Sequence, residues 1–181
     1  WFYLSTDHKI MWLPPDEIPP FIEKKTKYSK KFILIIFWNI NGFPIVEILP
    51  DGEKFTAEYF VNNILQSLNQ IAPQNRNRKL VLHYDNARPH TARKVNRYLD
   101  ENRMKRAPQP KYSPDIAPSD LFLFVYIKSK LNGQHFDSVE SLLEEVQEIL
   151  SEISKETLKK VFEDWERRLN EVINRNGEFI E

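Results

Sequence analysis

Cysteine is absent from this chain of 181 residues, and it also lacks a long hydrophobic run and any formal net charge. Without cysteine, neither a disulfide framework nor a thiolate metal site can form. No apolar run reaches the roughly 18 residues that a membrane-spanning helix needs, and no signal-peptide pattern opens the chain. We therefore expect an intracellular protein with no membrane partner. The length predicts one folded domain, with or without a helical appendage.

A net charge of zero argues against nucleic acid as a partner, but the charges are unevenly distributed. Residues 1–136 contain 20 Lys and Arg against 13 Asp and Glu, whereas residues 137–181 contain 6 against 13. A basic body with an acidic end segment is compatible with a phosphate-binding face. The alternative is that the acidic segment is only the solvated surface of two C-terminal helices.

The apolar pattern predicts an α/β fold. Strands are expected at residues 1–4, 10–13 and 80–84, with a hairpin at 32–49 around Asn41-Gly42. The strand at 80–84 is apolar almost throughout, which indicates that both its faces are covered. Helices are expected at 55–71, 91–102 and 119–131, the last buried all round, and after Ser138 and Ser154. This order predicts one mixed sheet flanked by helices, with a C-terminal helical extension.

Asp85 and Asp120 are the candidate catalytic and metal-binding residues. Asp85 follows the apolar run LVLHY, at the carboxyl end of a strand where open α/β sheets place ligands, and Asp120 opens an apolar helix. Buried carboxylates are costly to desolvate, and a divalent cation held between them would offset that cost. The structural alternatives are an Asp-Asn turn for Asp85 and a Ser-Asp helix cap for Asp120.

Basic side chains near Asp85 and in one loop are candidate contacts to DNA. Arg88 suits phosphate binding, and His90 either touches a phosphate or orients a carboxylate. The loop at residues 14–31 is rich in proline and carries Lys24, Lys25, Lys27, Lys30 and Lys31. This loop is either a plain surface loop or a segment that grips DNA or a partner subunit.

A second loop, at residues 107–118, contains four prolines and must have a defined shape. Asp115 within it is expected to order the turn rather than to take part in chemistry. His83 alternates with its apolar neighbours along the strand, so we expect a structural histidine with a satisfied hydrogen bond. Trp38 and Trp165 are expected in the core.

Two motifs closely resemble the mariner branch of the Tc1/mariner transposases: HYDNARPHTA at residues 83–92 and YSPDIAPSD at residues 112–120. The 34 residues between Asp85 and Asp120, and a final Asp rather than Glu, match the mariner spacing. The sequence from Trp165 to Glu181 is also similar to that family's C-terminus. The resemblance implies an RNase H-like domain in which three acids hold two Mg²⁺ or Mn²⁺ ions and which cuts and rejoins DNA at transposon ends. Asp85 would be the second acid and Asp120 the third.

The resemblance also implies an organisation of the chain. Residues 1–136 would be the catalytic core, with 14–31 as a clamp-like loop that reaches a partner subunit and makes a homodimer, and 137–181 would be helices packed on the core. The family's first acid lies in an Asp-Glu-X-Trp motif whose Trp matches Trp1, so this acid is expected to precede the chain.

Asp7 lies in the turn after the first strand and is not expected to replace that acid, so we expect the chain as given to be inactive. Two alternatives stay open: a domesticated, non-catalytic DNA-binding or dimerisation module, and a different RNase H-fold nuclease such as a ribonuclease or resolvase.

Overall fold

The computed structural model describes residues 32–49, 52–72 and 80–180. The strands expected at 1–4 and 10–13, Asp7, and the loop at 14–31 with its five lysines lie outside these ranges. Within the described residues, four strands, six helices and one 3-10 turn (Pro114–Ile116) form an α/β fold. No helix in this part of the chain combines the length and hydropathy needed to cross a bilayer.

The predicted hairpin is present as β1 (Ile33–Asn39) and β2 (Gly42–Leu49), which pair antiparallel. The register pairs Asn39 with Gly42, so the two loop residues are Ile40 and Asn41 rather than Asn41 and Gly42. Asn39 closes the turn by accepting the Asn41 N–H at 2.7 Å. Gly42 has a φ of +141°, which a residue with a Cβ rarely adopts, so the glycine is needed at the first position of β2.

Helix α1 covers residues 57–71 and contains a wide π-type turn at Phe60–Leu65, between the α-helical segments Ala57–Tyr59 and Gln66–Ile71. Thr56 caps it by accepting the Tyr59 N–H at 3.1 Å. The Tyr59 hydroxyl donates to Glu47 of β2 at 2.7 Å. Burial and this hydrogen bond raise the pKa of Tyr59 to about 12, so its hydroxyl stays protonated and ties α1 to the hairpin.

Strand β3 (Val81–His83) pairs in parallel with β4 (Lys105–Ala107), a strand that the sequence did not predict. The expectation that both faces of β3 are covered is wrong at Val81, which is 59% exposed. In place of the single helix expected at 91–102, the chain forms two helices, α2 (Arg88–Thr91) and α3 (Arg93–Glu101). The division arises because Ala92 between them is extended, with a ψ of 148°.

Three further helices complete the described chain. Helix α4 covers residues 119–131, with a π-type turn at Ser119–Leu123 and an α-helical part at Phe124–Leu131. It is not buried all round as expected, because Leu121 and Val125 are 39% and 59% exposed while Leu123 and Ile127 are fully buried. Helices α5 (Val139–Ser151) and α6 (Lys155–Asn174) begin after Ser138 and Ser154, which cap them as the sequence predicted.

The β1–β2 hairpin separates two hydrophobic clusters. On one face, Ile35 and Ile45 join α1, β3 and α3. On the other face, Leu34, Ile36 and Val46 pack against α4, α5 and the start of α6. Because successive strand residues point to opposite faces, the continuous apolar run of β1 supplies both clusters.

Candidate active site

Asp85 lies just after the end of β3, and its carboxylate is held from two sides. Oδ1 accepts the Ala87 N–H at 3.0 Å and lies 2.6 Å from Nδ1 of His90. The hydrogen bond with His90 holds the pKa of Asp85 below its usual value, against the opposing effect of burial. An ionised carboxylate can only accept, so Nδ1 of His90 carries the hydrogen in this pair. The Asp85 side chain is 72% exposed, which leaves its other oxygen open to solvent.

His90 is fixed by aromatic rings, and its side chain is only 16% exposed. Its ring centroid lies 4.7 Å from Phe60, 4.9 Å from Tyr84 and 5.3 Å from Phe55. Phe55 and Phe60 belong to α1 and its N-terminal flank, so this helix determines where the imidazole points. Of the two roles that the sequence allowed for His90, the structure shows the contact with a carboxylate.

Arg106 on β4 supports the backbone at Asp85, and sequence reasoning missed it. Its guanidinium donates to the Asp85 carbonyl at 3.0 Å and to Asn86 Oδ1 at 2.7 Å. It also lies 4.9 Å from the centre of the Tyr84 ring, a cation–π distance. The short sequence Lys105-Arg106-Ala107 has no apolar pattern, so the sequence gave no sign that Arg106 lies beside Asp85.

Asp120 lies in the first turn of α4, where its N–H donates to the Ala117 carbonyl at 3.0 Å. The preceding Ser119 accepts a hydrogen bond at 3.0 Å from the Trp38 indole of β1, which anchors this turn to the hairpin. Burial raises the pKa of Asp120, and the negative charge of Asp85 raises it further. The charge of Asp85 therefore contributes to the electrostatic environment of Asp120.

The loop between β4 and α4 is braced by Gln109, another residue that the sequence did not single out. Its Oε1 lies 2.6 Å from Nε2 of His83, and its Nε2 donates to the Ser113 carbonyl at 2.8 Å. Its own carbonyl accepts from Asn86 Nδ2 at 2.6 Å. Burial lowers the pKa of His83 despite the bond to Gln109, which favours a neutral ring. His83 is therefore the structural histidine that the sequence predicted.

Arg88 lies at the start of α2, three residues after Asp85, and is exposed. Asp115 is 6% exposed and accepts the Ile180 N–H at 3.2 Å, so it orders the Pro-rich loop as expected. The ranges 32–49, 52–72 and 80–180 contain no cluster of three or more acidic, His or Cys side chains suited to a metal ion. In those ranges the candidate donor set is therefore the pair of acids Asp85 and Asp120.

Comparison with known proteins agrees with this geometry. A family model described as a transposase with a partial DDE domain matches residues 2–82. The mariner Mos1 transposase of Drosophila mauritiana is 33% identical over 146 residues, which are 78% of this chain and 42% of that protein. The human protein named histone-lysine N-methyltransferase SETMAR is 29% identical over 185 residues, which are 99% of this chain and 27% of that protein. The chain therefore spans less than half the length of either relative.

Solved structures match the fold directly. The crystal structure of the catalytic domain of Mos1 mariner transposase superposes with a TM-score of 0.75 at 28% identity, covering 84% of this chain and 82% of that one. The Mos1 mariner paired end complex with Mn gives a TM-score of 0.82 at 26% identity, covering 94% of this chain and 51% of that one. The fold is therefore RNase H-like, and the class of protein is the catalytic domain of a DNA transposase. Within that class, the chain belongs to the mariner-type transposases of the Tc1/mariner family.

His90 offers a direct test of how the site is held. Replacing His90 with Ala removes the hydrogen bond to Asp85, and loss of such an outer partner typically weakens metal binding by about 10–100-fold. We expect a change in that range in the Mn²⁺ dissociation constant, measured by electron paramagnetic resonance of free Mn²⁺. His135, which is exposed, provides the matched control, and His135→Ala should leave Mn²⁺ binding unchanged. Equal binding by His90→Ala and the unaltered chain would show that His90 does not support a metal ligand.

Proposed function

We propose that this domain carries out metal-dependent DNA strand cleavage and strand transfer at transposon ends, with Asp85 and Asp120 as metal-binding acids. The observation that carries the proposal is the presence of both acids in a fold that superposes on the Mos1 catalytic domain, where the charge of Asp85 adds to the effect of burial in raising the pKa of Asp120. They are contributed by the end of a strand and the start of a helix, and the sequence between them is 34 residues long.

The chemistry of the donor set fits Mg²⁺ or Mn²⁺. Both side chains present hard oxygen donors, and a cation between them would offset the effects of burial and of the Asp85 charge, which raise the pKa of Asp120. Structures of the Mos1 catalytic domain have been solved with Mg and with Mn, which supports divalent ions as the cofactor. When two ions are bound, such a site activates the attacking oxygen and stabilises the leaving oxygen of a phosphodiester.

Several residues of the chain hold Asp85 and the turn that carries Asp120 in place. His90 and the Ala87 N–H hold the Asp85 carboxylate in its ionised form and in one orientation. Arg106 fixes the backbone on which Asp85 is carried. Trp38 and Ser119 anchor the turn that presents Asp120. The Asp85 side chain is 72% exposed, so a ligand can reach it from solvent.

DNA is the proposed partner, with Arg88 as a contact to phosphate beside Asp85. Mos1 structures of a paired end complex and a pre-cleavage transpososome support this partner. Lys24, Lys25, Lys27, Lys30 and Lys31 remain proposed contacts to DNA on the strength of their sequence alone. The homodimer through residues 14–31 and a nuclear location in a eukaryotic host also remain proposals.

The test is Mn²⁺-dependent nicking of supercoiled plasmid by two proteins: the chain as given, and the same chain preceded by Asp-Glu-Ser. The extension restores the Asp-Glu-X-Trp motif that the family resemblance places before Trp1. We expect nicking by the extended protein, its loss on chelation with EDTA, and little or none by the chain as given. DNA binding without nicking by either protein would overturn the catalytic proposal and favour the non-catalytic DNA-binding module. Cleavage confined to the RNA strand of a hybrid would favour another RNase H-fold nuclease.

A further inference from the structure

Trp165, on helix α6, contacts both segments that carry the acids. Its indole N–H donates to the Ile116 carbonyl at 2.8 Å, and its ring centroid lies 4.8 Å from that of His83. Ile116 precedes Asp120 by four residues, and His83 precedes Asp85 by two. One side chain from the C-terminal helix therefore touches the strand that leads to Asp85 and the loop that leads to Asp120.

A second tie joins the same loop to the chain that follows α6. The buried Asp115 accepts the Ile180 N–H through Oδ2, and Ile180 itself is only 2% exposed. Arg168, one turn after Trp165, donates to the Asp115 carbonyl at 3.3 Å. The other oxygen of Asp115 is buried without a hydrogen-bond partner in the described chain. Residues 115 and 116 are thus held by three hydrogen bonds from the C-terminal segment.

These contacts from the C-terminal segment restrain the two parts of the chain that carry Asp85 and Asp120. Asp85 and Asp120 lie on two separate segments, one just after β3 and the other in the first turn of α4. A divalent ion is bound tightly only if its ligands are held at the right separation before it arrives. The hydrophobic clusters hold helices and strands together, but the Pro-rich loop lies outside them and needs its own restraint.

We propose that Trp165 is a positioning residue that sets the separation of Asp85 and Asp120, with the Asp115–Ile180 hydrogen bond as a second restraint. This inference rests on the proposed metal-binding function of the two acids. It assigns to the C-terminal helix a part in the active site beyond covering the hairpin.

The test compares Mn²⁺ binding by conservative variants, measured by electron paramagnetic resonance of free Mn²⁺, with thermal unfolding recorded in parallel. Trp165→Phe keeps an aromatic ring beside His83 but removes the N–H donor to Ile116. We expect its Mn²⁺ dissociation constant to rise by about tenfold or more, in the range typical of lost outer-shell restraints. Asp115→Ala should weaken Mn²⁺ similarly, whereas Asp115→Asn, which keeps an oxygen for the Ile180 N–H, should bind more tightly than Asp115→Ala.

Tyr126→Phe is the matched control. Tyr126 lies on α4 and its hydroxyl donates to Glu152 at 3.0 Å, so this substitution also removes one hydrogen-bond donor from an aromatic side chain. It should leave Mn²⁺ binding unchanged. If Trp165→Phe lowers the melting temperature as Tyr126→Phe does but binds Mn²⁺ like the unaltered chain, Trp165 is only structural and the inference is wrong. Asp85→Asn tests the proposed metal site separately from the positioning role of Trp165. If Asp85→Asn also binds normally, the metal site itself is wrong, and the positioning role falls with it.

Discussion

Replacing Asp85 with Asn is expected to lower Mn²⁺-dependent nicking by the Asp-Glu-Ser-extended protein by more than roughly 100-fold. Loss of an outer-shell partner of a metal ligand costs at most about that factor, and loss of the ligand itself should cost more. Asn keeps an Oδ1 that can still accept from the Ala87 N–H and from His90, so the local geometry should survive. What the substitution removes is one negative charge of the pair that binds the cation. Plasmid nicking measured over a range of Mn²⁺ concentrations would report both the rate and the apparent affinity.

Asp100→Asn is the matched control, since Asp100 is an exposed acid on α3 that loses the same charge elsewhere on the surface. It should nick at the rate of the unaltered protein. Nicking that survives Asp85→Asn at an unchanged Mn²⁺ requirement would mean that Asp85 is not a metal ligand. The Asp-Asn turn would then be the whole explanation of this residue, as the structural alternative holds.

The two acids could be proposed as site residues from the sequence because each belongs to a long motif with fixed local chemistry. The strand that ends two residues before Asp85 and the Pro-rich turn that leads to Asp120 are encoded by neighbouring residues, and so is the hairpin at Asn39–Gly42. The helix caps at Ser138 and Ser154 are equally local. In each case the residues that define the feature lie within one or two turns of one another.

The groups that support the acids come from distant parts of the chain and leave no local pattern. Arg106 lies beside Asp85 because β4 pairs with β3 in parallel, and three residues with two charges do not predict a strand. Trp165 is 49 residues from the Ile116 carbonyl that it contacts, and Asp115 is 65 residues from Ile180. The apolar composition of α4 likewise did not show that Leu121 and Val125 would face outward.

The structure shows how some of the charges in the acidic segment, residues 137–181, are paired. On α6, Asp164 pairs with Arg167 and Arg168, and Glu163 and Glu171 also pair with basic neighbours on the same helix. Exposed pairs of this kind contribute little to stability, typically about 0–1 kcal/mol each. Their effect is to neutralise the surface of α6, so that this surface is not a strongly acidic face.

Phe60→Ala is expected to destabilise the domain by about 3–5 kcal/mol, the usual cost of removing a fully buried phenylalanine. Phe60 is 0% exposed and lies within 6.1 Å, centroid to centroid, of Phe37, within 5.7 Å of Phe55 and within 5.4 Å of Tyr84. Its loss would leave a cavity where α1, the hairpin and the strand leading to Asp85 meet. Urea unfolding followed by circular dichroism would measure the change in the free energy of unfolding.

The same substitution should reach the active site, because the Phe60 ring lies 4.7 Å from the ring of His90. With that neighbour gone, the imidazole has room to turn away from Asp85, and Mn²⁺ binding by the folded fraction should weaken. Phe179→Ala removes an equal side chain that is 64% exposed, and we expect it to change stability by no more than about 0.5 kcal/mol. A large loss of stability with unaltered Mn²⁺ affinity would show that the hydrogen bond to Asp85 fixes His90 without the packing of the Phe60 ring.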